Sequence, residues 1–214
     1  MAPKIRLSFD MLLDFFLNKA WAAIGLWALL YCLDYAFTYK AAKIYKAGAG
    51  KHFGFGGGYE LNPFFKDDIA QLRRFSFRFF LLLLLVAGLL LILHGTGLRE
   101  YFAFVWGLMI CLQLTVHFRH LRNLAVFYYA KDSQGVNGRI EYEHWLSLRL
   151  SSIEFFYFSV FYLFLFLLWG NLFMLGGATG CLVLALRHLY DSRRSRGLAQ
   201  NKVEEIDGTT SRNI

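Results

Sequence analysis

Proline is almost absent from this chain. Pro3 and Pro63 are the only two in 214 residues, and neither interrupts a long apolar run. Those runs are therefore free to form unbroken helices that satisfy their own backbone groups, as a hydrocarbon solvent demands. Cysteine is also scarce: Cys32, Cys111 and Cys181 each lie within an apolar stretch, with no C-x-x-C spacing. A cysteine zinc site or dithiol motif is excluded, and the three thiols read as small buried hydrophobes. Segments of about 10 residues with alternating polarity are missing, which excludes a transmembrane β-barrel. No internal repeat recurs at a fixed period, and an odd number of apolar runs cannot be split into the equal inverted halves of many secondary transporters.

What is present is apolar and aromatic. Hydrophobic residues make up 57% of the chain and aromatics 19%, well beyond an ordinary globular composition. The formal net charge is +8, but Lys and Arg sit at the ends of apolar runs, not along one polar face. That placement indicates membrane topology and attraction to anionic lipids, with the lipid bilayer as partner and no nucleic acid. The expected fold class is all-α, a polytopic helical membrane protein.

Residues 1–19 form an amphipathic N-terminal segment. Within it, Leu7, Met11, Leu12, Phe15 and Phe16 fall near helical spacing and Asp10 and Asp14 lie elsewhere, as in a helix lying along the membrane interface. The two aspartates and the lack of a small-residue cleavage site predict that this segment is retained and is not a cleaved signal. A transmembrane domain follows over 20–190, with spans at 21–39, 77–94, 101–118, 148–169 and 172–190. Helical spacing continues beyond the first span to Lys46 and beyond the third to Ala130. The short link through Gly95, Gly97 and Arg99 makes a hairpin of spans two and three, and Gly170-Asn171 forms a tight turn between four and five. Residues 191–214 read as a tail, basic at first and without fixed structure from about residue 197.

Lys and Arg concentrate between spans one and two, between three and four, and after span five, leaving Arg99 nearly alone on the other side. The positive-inside rule then predicts an inner (cytoplasmic) membrane protein with a cytoplasmic C-terminus and an outward N-terminal helix, although Lys4, Arg6 and Lys19 pull the other way. Gly48 to Lys51 lacks the spacing and the following Ser or Thr of a phosphate loop.

Ionisable residues inside apolar helices cost a few kcal/mol and usually face a partner. Asp34 lies within span one, with Thr38 one turn further on. Gln113, His117, His120 and Asn123 form a stripe on span three, and Ser151 and Glu154 enter span four at the same level. Glu60 and Asn62, held out of helix by Pro63, are placed to join them from the glycine-bearing loop. Three readings follow. Asp34, Glu60, Asn62, Gln113, His117 and Glu154 form a polar site that binds or transports a small cation or polar solute. Alternatively, His117, His120 and Glu154 hold a divalent metal in a membrane enzyme. In the third reading the carboxylates pair with Arg119, Arg122 or Arg149 in a non-catalytic accessory subunit. Gly176, Gly177 and Gly180 offer a small-residue face for a homo-oligomer or another membrane subunit.

The run Asp34-Tyr-Ala-Phe-Thr38, followed by a glycine-bearing loop and Tyr59-Glu-Leu-Asn-Pro63, resembles small prokaryotic polytopic membrane proteins of unknown function that carry an Asp, a Thr and then Glu-x-Asn-Pro. The likeness covers about 30 residues. It implies a prokaryotic membrane setting and a role for Asp34, Glu60 and Asn62, but no reaction.

Overall fold

The structure is a computed structural model that describes residues 3–56, 65–133 and 135–210, and the side chains among them over 9–56, 65–133 and 135–198. Among the described residues it contains seven α-helices: α1 (Pro3–Asn18), α2 (Ala20–Ala47), α3 (Lys66–Ala70), α4 (Phe77–Gly95), α5 (Arg99–Ala130), α6 (His144–Trp169) and α7 (Leu172–Thr210). Two short strands, β1 (Phe53–Phe55) and β2 (Ile140–Tyr142), pair in parallel with Phe53 opposite Ile140. Among the described residues, α2, α4, α5, α6 and the Leu172–Leu198 part of α7 are long and apolar enough to cross a membrane.

Each apolar run predicted as a span corresponds to one of these helices; α2 and α5 run on to Ala47 and Ala130, in line with their helical spacing, and α7 runs past its expected end. α5 is 32 residues long, about 48 Å at 1.5 Å per residue, against a hydrocarbon thickness of about 30 Å. α7 continues to Thr210, over residues whose charge pattern predicts an unstructured tail. Leu198, Ala199 and Gln200 are good helix formers, and no proline stops the helix.

The helices stop where local chemistry ends them. Ser76 caps α4 by accepting from the Phe79 backbone N–H at 3.3 Å. Gly170 takes the left-handed conformation that closes α6, at φ 71°, and Asn171 Oδ1 then accepts from Met174 N at 3.0 Å to start α7. These are the expected glycine C-cap and asparagine N-cap.

α5 is the central helix, packed against α2, α4 and α7, with α6 laid along α7. Its contact with α7 is backbone to backbone. A Cβ on Gly176 would lie 1.9 Å from the Phe104 carbonyl oxygen, and one on Gly107 would lie 2.0 Å from that of Phe173. Gly177 and Gly180 instead face the side chains of Cys111 and Leu108. The expected oligomer face at Gly176, Gly177 and Gly180 is therefore used inside the chain, because only glycine lets these two helix backbones approach so closely. Across these interfaces Ser152 and Ser159 donate to the carbonyls of Ala185 and Ala178, each at 2.8 Å, and Trp106 Nε1 donates to Ala23 O at 3.0 Å.

α1 closes one end of the bundle. Phe9 stacks on Trp169 and Phe16 meets Trp106, Leu13 and Leu17 are buried, and Asp14 pairs with Arg99. The face turned outward still carries Met11, Leu12 and Phe15, so α1 is apolar on two sides, one docked on the helix ends and one free. The opposite end carries a small head in which Phe53, Phe127, Ala41, Ala49 and Ala130 form a second core. His52 ties the head together, with Nδ1 2.8 Å from Gly138 O and Nε2 3.1 Å from Ser133 Oγ.

Candidate functional site

Between the main core and the head end, α2, α3, α4, α5, α6 and α7 surround a cavity of about 700 Å³, well within the usual size of small-molecule sites. Helical periodicity supplies its walls. Tyr31, Asp34, Tyr35 and Thr38 of α2 line it, as do Val116, Arg119, His120 and Asn123 of α5. In both helices the spacing is i, i+3, i+4, i+7, one continuous face. α7 contributes Leu184, Arg187, His188, Asp191, Arg194, Ser195 and Leu198 with the same period, and Lys66 and Ile69 come from α3.

The cavity is graded along its length. At the end next to the main core it is apolar, with Tyr31, Phe79, Val116 and Leu184; the Tyr31 and Phe79 rings are stacked 4.6 Å apart. Beyond this floor the core is filled by Trp27, Leu90, Phe102 and Trp106, so the cavity is blind at that end.

A ring of polar groups comes next. Asp34 Oδ1 lies 2.7 Å from His120 Nε2, and Thr38 Oγ1 lies 3.1 Å from the same nitrogen. Facing them, the Arg119 guanidinium sits 5.2 Å over the Phe155 ring and its Nε is 3.0 Å from Glu154 Oε2. Arg122 takes the other Glu154 oxygen. Ser151 hydrogen-bonds His188 Nδ1 at 2.7 Å. Because Ser151 itself is buried and does not reach the cavity wall, this contact orients the imidazole and does not present a nucleophile.

At the mouth are Lys66, His144, Asp191 and Arg194. Arg187 and Asp191 approach to 3.8 Å across one helical turn. Lys66 and Arg194 form no ion pair among the described residues. Four fixed cations and two carboxylates thus face the cavity, and each carboxylate already has a basic neighbour.

The predicted site residues divide. Asp34 and His120 are brought together, and the pair supplies the partner that span one alone does not reveal. Glu154 belongs to Arg119 and Arg122, the arginine pairing of the structural reading. Gln113 and His117 are not in the cavity wall. His117 is buried, with Nδ1 2.6 Å from Gln113 O and its ring edge-on to Phe37 at 5.4 Å. The predicted stripe is thus displaced: the face that opens on the cavity starts at Val116, not at Gln113. The metal set of His117, His120 and Glu154 is taken apart by these contacts, and no group of three His, Cys, Asp or Glu among the described residues is disposed to hold a metal ion. Glu60 and Asn62 lie outside the described residues.

The sequence alone assigns no role to Lys66, His144, Arg187, His188, Asp191 and Arg194, all of which line the cavity. The signal was available in the period-3.6 continuation Leu184, Arg187-His188, Asp191, Arg194-Ser195, Leu198, which runs past the nominal end of the last span at Tyr190.

No protein-family model, curated protein or solved structure matches this chain. Its class is set by the fold: an all-helical protein with, among the described residues, five helices of membrane-crossing length and a blind cavity, basic at its mouth.

Proposed function

We propose that this is a multi-pass inner-membrane protein that binds a small anionic solute in the cavity formed by α2 to α7, with the head and the end of α7 in the cytoplasm. The observation that carries the reading is the excess of unneutralised positive charge at the mouth, where Lys66 and Arg194 lack ion-pair partners among the described residues and Arg119 presents a planar guanidinium held by Phe155 and Glu154. A cation would meet Lys66 and Arg194 there, and Asp34, its natural ligand, already lies 2.7 Å from His120 Nε2. The blind apolar floor supports a binding pocket and not an open conduction path. The orientation is supported by the positive-inside rule, since Lys40, Lys43, Lys46, Arg122 and Arg193 all lie toward the head end.

The test is thermal unfolding of detergent-purified protein with added ligands, because a ligand that binds only the folded state stabilises it by about 2.7 kcal/mol at 100 times its dissociation constant. Phosphate, pyrophosphate or citrate at constant ionic strength is expected to raise Tm, whereas sodium, potassium and magnesium chlorides are not. Stabilisation by a cation alone would overturn the reading.

A further inference from the structure

We infer that the occupant of this cavity is a single amphiphile with a phosphate-bearing headgroup, a phospholipid of the cytoplasmic leaflet, seated with its headgroup against Lys66, Arg119 and Arg194 and its chain on the floor formed by Tyr31, Phe79, Val116 and Leu184. The inference rests on the anion-binding reading and adds the apolar half of the ligand.

Two features of the cavity call for both halves in one molecule. The first is the grading of its wall. From Leu184 to Leu198 the α7 face spans about 20 Å, and along it the lining passes from the apolar floor, through the Asp34–His120 and Arg119–Glu154 pairs, to a mouth where Lys66 and Arg194 stand among Phe65, Ile69 and Leu198. A compact anion such as phosphate would use only the outer part and leave an apolar floor against water, whereas a chain there removes that surface from water at about 25 cal/mol per Å². The second is direction. In the proposed orientation the basic mouth lies at the level of the lipid headgroups and the floor toward the middle of the bilayer. A lipid entering from the cytoplasmic leaflet therefore already has its head and chains pointed the right way.

The donors suit a phosphate. Arg119 is fixed by its stacking on Phe155, so its fork is preorganised, and Lys66 and Arg194 add mobile positive charge, the combination that recognises phosphate oxygens. Each basic group near a membrane surface favours anionic lipid by about 1 kcal/mol, or roughly fivefold in affinity.

The test compares three probes by native mass spectrometry on detergent-solubilised protein: phosphatidylglycerol, phosphatidylcholine with the same acyl chains, and glycerol 3-phosphate. One phosphatidylglycerol per chain is expected, retained on the order of tenfold better than phosphatidylcholine, with glycerol 3-phosphate unable to displace it at equal concentration. Leu184→Trp, which fills the floor, should abolish lipid retention. As a readout that needs no variant, phosphatidylglycerol with a photoreactive acyl chain should label the wild-type chain at Val116 and Leu184. If pyrophosphate stabilises the protein but lipid labels only outward positions such as Phe118, Val183 and Leu186, the lipid inference fails and the anion site stands. If neither lipid nor soluble anion binds, both fail.

Discussion

His120 Nε2 sits between Asp34 Oδ1 at 2.7 Å and Thr38 Oγ1 at 3.1 Å, so one imidazole nitrogen joins α5 to two successive turns of α2. Asp34 and His120 are both largely shielded, with 25% and 15% of their side chains exposed. Removing either partner leaves a polar group in poor contact with water, at about 1–3 kcal/mol. Asp34→Asn and His120→Gln should each lower Tm in detergent, and the double variant should lose less than the sum of the two. A coupling energy of at least about 0.5 kcal/mol in this cycle is expected for groups in contact; strict additivity would show that they do not act as a pair.

The helix contact at Gly107 and Gly176 makes a sharper prediction. A methyl group at either position meets a carbonyl oxygen of the facing backbone at 2.0 Å or less, and backbone cannot swing aside as a side chain can. Gly107→Ala and Gly176→Ala should destabilise the protein by about 3 kcal/mol or more, at or beyond the usual range for overpacking. Gly180→Ala should cost less, since its nearest neighbour is the Leu108 side chain at 2.8 Å. Gly25→Ala and Gly88→Ala, with nothing within 4 Å of the added carbon, should be neutral or slightly stabilising through helix propensity. Unfolding midpoints for the five variants check the order.

Lys66→Gln and Arg194→Gln should separate binding from stability. Neither residue makes an ion pair among the described residues, so stability without ligand should change by no more than about 0.5 kcal/mol. Anion affinity, measured by calorimetry with pyrophosphate, should fall several-fold for each and further for the double variant. Unchanged affinity in both would place the anion elsewhere.

Topology can be read by thiol labelling of intact cells in a cysteine-free background. Asp132→Cys, exposed at the head end, should be protected from a membrane-impermeant maleimide until the cells are opened, and Glu100→Cys, exposed beside α1, should react at once. The reverse pattern would invert the proposed orientation and move the cavity to the other leaflet.

The apolar helices were legible because a run such as Phe77 to His94 admits little else once proline and alternation are absent. The face of α5 was not. A helix with neighbours on several sides is apolar nearly all round, so periodicity cannot tell which polar residue opens on a cavity and which is buried in a seam. Thus His117, read as part of the site, packs on Phe37, while Arg119, read only as a pairing group for a carboxylate, lines the wall. The α7 extension was hidden for a different reason: Arg193, Arg194 and Arg196 have the composition of a membrane flank, and that signal masked an uninterrupted helical period. The pairing of β1 with β2 was beyond reach, because two three-residue strands far apart in the chain carry no local mark of each other.

That pairing imposes an order on synthesis. Phe53 leaves the ribosome about 90 residues before Ile140, roughly 4–18 s at ordinary elongation rates, and both hydrophobic helices of the α4–α5 hairpin must be made in the interval. Until then β1 has no partner strand to pair with. The β1–β2 pair, and with it the head, can close only after the three apolar helices α2, α4 and α5 have been made.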